Sequence, residues 1–427
     1  LFAAQICSLL AVGLLTMALS LAAYRIGGAA AAGQILGILL ALKMVAYVGF
    51  APLAEPLLSR FARKPVMMVL DALRLLLLLP MFWATETWHL AVLAFVFFVV
   101  SAGFTPMFQS VIPDLLPDEP TYTRALVISR VAYTLESILS PVIAASVLQL
   151  VPASALFLLA SGAFAGSVAA LWMTRFPADP DKAAKTPFLR RALRGMSIFR
   201  ATPRLRGLFL LNLALSLVLA WVLVNTVAYA GARLGDAEHY YPILMGCYGA
   251  GAAMGALSVP RLLERISDRR LMGAGCFGFA GLGALVLLPL PFAGLLLLWA
   301  AFGLASSLVL TPGGLVIARS AARGDRPALF AAQFSLSHAG WLVAYPLAGW
   351  LGGLLQLETA LAVLSLGCAG LALVALRQWP AEDPVERAHT HPDLPADHPH
   401  LRAHGPGESH LPHRHVYHID DLHPTWT

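Results

Sequence analysis

The chain has 427 residues, 59% of them hydrophobic and 12% charged, with 29 Lys and Arg against 23 Asp and Glu and a formal net charge of +6. Soluble domains average about 45–50% apolar and about 25% charged residues, so this composition cannot clothe a water-exposed globule and places the chain in lipid. The positive charge then reads as cytoplasmic loops rather than a nucleic-acid surface. Cys7, Cys247, Cys276 and Cys368 lie in apolar stretches and form neither a disulfide framework nor a zinc spacing.

About 20 apolar residues carry a helix across the hydrocarbon core. In chain order the sequence predicts spans at 1–24, 34–57, 66–84, 89–112, 124–148, 153–174, 207–230, 240–260, 271–290, 292–318, 328–352 and 358–377. Irregular backbone is not tolerated against lipid, so each span is expected to be a helix. Residues 1–24 lack a basic n-region and a cleavage site, and read as a first span rather than a signal peptide. The expected fold is an all-α membrane protein of twelve transmembrane helices.

Basic residues set the orientation. The stretches after the second, fourth, sixth, eighth, tenth and twelfth spans hold 24 of the 29 Lys and Arg, whereas the opposite side holds Arg25 and Arg233. By the positive-inside rule both termini are cytoplasmic.

The chain also repeats itself at an offset of 205–207 residues. Leu1-Phe2 and Gln5 match Leu208-Phe209 and Asn212, Tyr24 matches Tyr229, and Leu57-Leu58-Ser59-Arg60 matches Leu262-Leu263-Glu264-Arg265. Thr105-Pro106 matches Thr311-Pro312, and Ser140-Pro141 lines up with Tyr345-Pro346. Two six-helix halves in parallel repeat follow, with a site expected at their interface near the midplane. The domain reading is 1–174 for the first half, 175–206 for a cytoplasmic linker, 207–377 for the second half and 378–427 for a tail. In the linker, Leu189, Leu193, Met196 and Phe199 share one helical face, as in a helix lying on the inner leaflet.

Ionisable side chains inside spans are costly and call for a reason. Glu136 is the first candidate, as a buried proton carrier or a cation ligand, with Arg130 or Lys43 as a structural partner in the plainer alternative. His338 precedes Pro346 by eight residues and Glu136 precedes Pro141 by five, so the two residues are expected to face one cavity from opposite halves. Imidazole plus carboxylate makes a transient site for a divalent cation. Lys43 would repel such a cargo, unless it neutralises Glu136 in the empty state. Gln5, Asn212, Asn225, Gln333 and Ser337 are candidate cavity groups, against interhelical hydrogen bonding as the alternative. Met17 and Met44 read as packing.

The tail carries ten of the thirteen histidines: His389, His391, His398, His400, His404, His410, His413, His415, His418 and His423. Imidazole suits nickel, copper and zinc. The segment is rich in Pro and poor in apolar residues, so it is expected to be disordered without metal. Its His-x-His pairs can chelate from an extended chain, where alternate residues point the same way.

Two six-helix halves resemble the major facilitator superfamily. Its motif between the second and third spans, roughly G-x-x-x-D-R-x-G-R-[RK], is approximated by Glu55-Pro56-Leu57-Leu58-Ser59-Arg60-Phe61-Ala62-Arg63-Lys64. Ser59 stands where the acid is expected, so Asp71, from Asp71-Ala72-Leu73-Arg74, becomes the nearer partner for the arginines. The resemblance implies a gating role for Ser59, Arg60, Arg63, Lys64, Asp71 and Arg74. A narrower likeness, to bacterial nickel-resistance efflux pumps of the NreB type, rests on several stretches. They are Phe2-Ala3-Ala4-Gln5, residues 41–48, Asp325-Arg326-Pro327-Ala328-Leu329-Phe330-Ala331-Ala332-Gln333-Phe334, Ser337-His338, residues 345–350 and the closing 413–423. It implies export of nickel, and of cobalt as a second cargo, driven by protons as the coupling ion.

The leading expectation is a proton-coupled metal exporter in a bacterial inner membrane. It would be monomeric, with no permanently bound cofactor and no nucleic-acid partner. A drug or siderophore exporter of the same fold and a metal-responsive sensor are the alternatives. An enzyme is disfavoured, since no Walker loop, nucleophile elbow or HExxH helix occurs.

Overall fold

The computed structural model describes residues 1–58, 61–115, 136, 138–174, 176, 188–322, 325–384, 386–391, 395, 400–401, 412–420, 422–423 and 426. The described helices of the first half are α1 (Phe2–Leu58), α2 (Arg63–Met81), α3 (Thr87–Leu115), α4 (Ile138–Val147) and α5 (Ala155–Met173). After α6 (Phe188–Ala201) come α7 (Pro203–Leu234), α8 (Ala237–Leu263), α9 (Asp268–Leu285), α10 (Phe292–Leu310), α11 (Gly313–Arg319), α12 (Arg326–Leu354) and α13 (Leu357–Gln378). Two short strands, β1 (Glu386–His389) and β2 (His413–Val416), pair antiparallel in the tail. Among the described residues, seven helices are long and apolar enough to cross a membrane, counting the kinked α1 once. Large apolar side chains such as Leu76, Leu297, Val343 and Leu366 face outward from the bundle, a surface suited to lipid.

Two boundaries differ from expectation. The first two expected spans are one continuous helix, broken only at Gly28, whose φ of 58° and ψ of −167° reverse the chain locally. Glycine has no Cβ to penalise that conformation, and Ala29 to Ala32, the best of helix formers, resume the helix at once. The expected span 292–318 divides into α10 and α11 at Thr311-Pro312, because proline has no N–H to donate back into a helix. Of the expected span 124–148, only Glu136 and 138–148 fall among the described residues.

The repeat is visible in how each half closes on itself. Lys64, at the start of α2, donates to the carbonyls of Trp172 and Thr174 at 2.7 and 2.8 Å, at the end of α5. Its equivalent, Arg269 in α9, donates to Trp379 and Leu376 at 2.7 and 2.6 Å, at the end of α13. Each cation satisfies carbonyls that a helix C-terminus leaves unpaired, and lies at the negative end of its dipole.

The described contacts of Asp71 and Arg74 tie helices of the first half together. Asp71 is fully buried, pairs with Arg74 on its own helix and accepts from Ser167 of α5 at 2.5 Å. Arg74 reaches Ser8 of α1 at 3.3 Å and stacks over Phe104 of α3 and Phe164 of α5 at 4.1 and 4.6 Å. Ser167 also donates to the Ala4 carbonyl at 3.1 Å. The pair ties four helices of the first half. Ser59 and Arg60 lie outside the described residues.

The linker helix forms and packs one side on α12. Gly195, Ile198 and Phe199 are buried, while Leu193 and Met196 are exposed. A Cβ on Gly195 would collide with the Ala328 carbonyl of α12, so the glycine permits the closest approach of the two helices. Arg194 adds an ion pair with Asp325 at 3.4 Å.

Replacing Asp71 with Ala leaves Arg74 buried without its charge partner, which costs about 3–5 kcal/mol for such sites. Thermal unfolding in detergent is expected to show a clearly lowered midpoint. An unchanged midpoint would show that the pair does not hold the first half together.

Candidate functional site

Contacts between the halves gather at the end of the bundle away from the basic loops. Gly33 of α1 and Gly349 of α12 meet backbone to backbone, where a Cβ on either would collide with Asn225 or with the facing main chain. Beside them Tyr241 of α8 donates to Ser20 of α1 at 2.8 Å. Tyr24 packs on Gly231 of α7, and Gln34 packs on Gly353 of α12. At the basic end, the described polar ties stay within one half or join the linker and tail to the second half. The described state is therefore sealed at the end opposite the basic loops.

Below that seal, Lys43 lies between two other sequence-predicted ionisable residues, each within its electrostatic range. Lys43 of α1 is half-buried and lies within electrostatic reach of both Glu136 and His338. Its ammonium sits 5.7 Å from the ring centroids of Tyr47 and of Phe98 from α3. The Tyr47 ring is in turn 5.8 Å from the His338 ring, which stacks on Phe334 at 3.8 Å. His338 Nδ1 bonds the Phe334 carbonyl at 2.7 Å, one turn earlier in α12. With the proton on Nδ1, Nε2 is left as the lone-pair nitrogen. Glu136 and Ser140 pack against Gly13 of α1, where a Cβ would strike both side chains. Tyr47 escaped the sequence reading. Its spacing of one helical turn from Lys43 is the signal that could have found it.

The other candidates divide. Asn212 and Ser337 line one small cavity between α7 and α12 with Phe209, Leu213, Leu336, Gly340 and Trp341. Asn212 also donates to the Leu208 carbonyl at 2.8 Å and Gln333 to Ser337 at 2.8 Å, both within their own helices. Asn225 is not at this level: it donates to the Ala348 carbonyl at 2.9 Å beside the glycine contact, and so belongs to the seal. Gln5 is buried near the start of α1. Arg130 lies outside the described residues.

The tail departs most from expectation. Its described part is folded rather than disordered, and it is docked on the second half. Arg204, buried at the start of α7, meets Asp383 at 3.3 Å and stacks over Trp426 at 4.7 Å. Arg319 of α11 reaches Asp383 at 3.5 Å and Asp268 at 2.9 Å. Tyr417 and Ile419 join the main apolar core. These anchors supply the buried surface that the composition of 378–427 does not advertise.

Histidines converge on this docked hairpin. The strand register sets His389 opposite His413 and Arg387 opposite His415, so His389, His413 and His415 share one face. His389 Nε2 lies 3.0 Å from His423 Nε2 and 3.1 Å from His415 Nε2. His391 and His423 approach at 3.2 Å, and His400 and His413 at 3.0 Å. Nδ1 of His389, His415 and His423 bonds the Arg387 carbonyl, the Val416 carbonyl and the Asp420 carboxylate at 3.2, 2.8 and 2.7 Å. Such outer contacts hold the proton on Nδ1 and aim Nε2 inward, as in metal-binding imidazoles. Burial pushes the Asp420 carboxyl up, but its hydrogen bonds from His423 and Leu422 outweigh this and hold it below the usual range. His418 stands apart, beside Arg319 and Arg204, and His398, His404 and His410 lie outside the described residues.

The comparisons with known proteins agree with this architecture. The family model described as Major Facilitator Superfamily matches residues 1–235 and again 214–406. No curated protein matches the chain. Among solved structures, the nucleoside transporter NupG superposes with a TM-score of 0.70 at 13% identity, over 89% of this chain and 99% of that one. A bacterial homolog of the human lysosomal transporter Spinster, in an inward-facing unoccupied conformation, gives 0.69 at 14%, over 88% and 97%. A peptide transporter of the POT family in complex with sulfate gives 0.66 at 15%, over 88% and 93%. At these identities the likeness is one of fold.

Burial first, and then the neighbouring imidazoles, hold His389 and His400 down to about 4. The unfolded tail titrates near the ordinary value of about 6.5, so below that pH it binds more protons than the docked one. The stability of the metal-free hairpin is therefore full above about 6.5 and is lost as the pH falls toward about 4. Peptide-resolved hydrogen exchange, corrected for its intrinsic pH dependence, should show 386–391 and 412–423 losing protection between neutral and mildly acid pH. Constant protection would contradict this.

Proposed function

Because the chain belongs to the Major Facilitator Superfamily, and is a membrane transporter of that type, we propose that its cargo is a divalent transition metal, nickel first and cobalt second. The cargo leaves the cytoplasm in exchange for protons. The observation that carries this reading is the convergence of tail imidazoles at the basic end of a transporter fold. The NreB-like stretches support the same ion.

In this reading twelve spans carry the two halves, the basic end is cytoplasmic, and the glycine seal closes the outer side of an inward-open state. Metal enters from the basic end toward Glu136 and His338. Imidazole Nε2 and carboxylate supply a borderline ligand pair, strong enough to select a transition metal and too sparse to retain it. Lys43 neutralises Glu136 in the empty site. A cation arriving at Glu136 from the cytoplasm takes the place of the Lys43 ammonium, and a proton arriving from outside protonates the carboxylate and releases the metal; once the site faces inward again, that proton passes to the cytoplasm and Lys43 resumes its contact. Each partner can occupy the carboxylate only in turn, which is the physical basis of exchange. Opening the outer side requires parting Gly33 from Gly349, a rocking of one half against the other about a central site.

Inverted membrane vesicles should accumulate nickel when a pH gradient is imposed, and the tail should be protected from protease outside intact cells. Glu136→Gln is expected to abolish the gradient-driven component at unchanged expression. His338→Ala should raise the nickel concentration for half-maximal flux about tenfold, and more for nickel than for a harder ion. The two effects should be non-additive, since both residues would act on one ion. Full gradient-driven flux in the double variant would remove the central site from the mechanism. Vesicles that move neither nickel nor cobalt would overturn the cargo.

A further inference from the structure

The tail histidines do more than cluster. Measured from ring to ring, His389 lies 4.9, 4.5, 4.7 and 4.8 Å from His391, His413, His415 and His423. His400 lies 4.8, 5.0, 4.8 and 5.2 Å from the same four. Those four form a closed circuit: His391 to His413 5.2 Å, His413 to His415 5.4 Å, His415 to His423 5.2 Å and His423 to His391 4.9 Å. His389 and His400 are 6.3 Å apart. Eight spokes and four rim edges of near-equal length, around one long axis, are the twelve edges of an octahedron. His389 and His400 are its poles, and His391 stands opposite His415 and His413 opposite His423.

The dimensions match a metal. With a metal–nitrogen bond of about 2.1 Å, adjacent nitrogens of an octahedron lie about 3.0 Å apart, whereas the edge of a tetrahedron is about 3.4 Å. The close Nε2 separations are 3.0, 3.1 and 3.2 Å among His389, His391, His415 and His423, and 3.0 Å between His400 and His413. Imidazole ring centres in the same octahedron fall about 4.6 Å apart when adjacent and about 6.5 Å when opposite. Ligand nitrogens of His389, His400, His413 and His415, and likewise of His389, His391, His400 and His423, all lie within 4.8 Å of one another. The two groups share His389 and His400, the two poles.

We propose that His389, His391, His400, His413, His415 and His423 form a single six-coordinate, all-imidazole site for one divalent first-row cation, with nickel preferred and cobalt next. Structural zinc sites take four ligands, and copper favours a tetragonal set, so neither ion gains the full complement. Among ions content with six nitrogens the affinity order rises from manganese through iron and cobalt to nickel. The ligands come from β1, the segment between the strands, β2 and the turn at Asp420, so the ion would lock the whole hairpin. Arg204, Arg319 and Trp426 fasten that hairpin to the second half, which places the site on the transporter's basic end rather than on a free tether. The assignment rests on the metal reading above for its biological ion, but its test measures binding without flux, so either can fail alone.

The purified full-length protein, in detergent and freed of metal, is titrated with Ni2+, Co2+ and Zn2+. One tight Ni2+ per chain is expected, with X-ray absorption showing six nitrogen neighbours and imidazole outer shells. The Co2+-loaded protein should show the weak visible bands of six-coordinate cobalt. His400→Ala should weaken Ni2+ binding about a hundredfold, the upper end of losses seen when only an outer partner is removed, whereas His418→Ala, outside the octahedron, should leave it unchanged. The cobalt spectrum of the unaltered protein needs no variant and so does not depend on the hairpin surviving mutation. Intense four-coordinate cobalt bands, a zinc site as tight as the nickel site, or several equivalent weak sites would each overturn the proposal. So would equal losses in the His400 and His418 variants.

Discussion

A polar group taken out of water into an apolar bundle must find its partner there, and this requirement organises the molecule. The Asp71–Arg74 pair can exist only because Ser8, Ser167, Phe104 and Phe164 are brought to it from three other helices. The ends of α5 and α13 are closed by Lys64 and Arg269, each filling carbonyls that lipid cannot satisfy. Arg204, buried at the start of α7, obliges the tail to supply Asp383. Even the folding of the tail is thus a consequence of a cation left at a helix N-terminus, where the dipole gives it no help.

The same rule separates structural from mobile charge. Asp71 and Arg74 are enclosed by fixed hydrogen bonds and have nothing to exchange. Lys43, Glu136 and His338 are loosely associated across α1, α4 and α12, through an electrostatic contact and an aromatic bridge. A cation can compete for groups held in that way. The seal of Gly33 on Gly349 works by the opposite principle: it is a close backbone contact without charge, flanked by the Tyr241–Ser20 hydrogen bond. In the proposed reading, a site of exchangeable partners beneath an uncharged seal is what an alternating mechanism asks of a bundle.

In the proposed reading, metal chemistry would sit at two depths with two denticities. The mid-depth pair offers one imidazole and one carboxylate, while the hairpin gathers imidazoles at the basic end. Few ligands favour release and many favour retention, so the hairpin suits capture or sensing and the central pair suits passage. Coupling between them would run through α7, α11 and the start of α12, the elements that hold the tail and extend to the level of His338.

Much of the fold was legible because lipid imposes simple rules. Apolar runs had to be helices, and helices appear at each expected span that the described residues cover. Lys64 and Arg269 stand 205 residues apart, within the offset of the repeat, but that they cap equivalent helices became visible only in the fold. Short-range rules also misled where a local cause was stronger: the alanines after Gly28 erased an expected loop, and Pro312 divided an expected helix. The face of α6 that meets the bundle was not legible, because a small residue, Gly195, sets that contact rather than a large apolar one. Glu136, Lys43 and His338 were recognisable as costly residues in apolar surroundings, but their mutual placement, and the part of Tyr47 between them, depend on helix packing. By itself, the sequence determined that the chain lives in lipid, repeats a half, and ends in many imidazoles. Only the tertiary structure decided that, among the described residues, six of those imidazoles converge while His418 does not. Composition counts ligands, but convergence depends on strand register, on the turn at Asp420 and on anchors such as Arg204 that lie some 180 residues away in the chain.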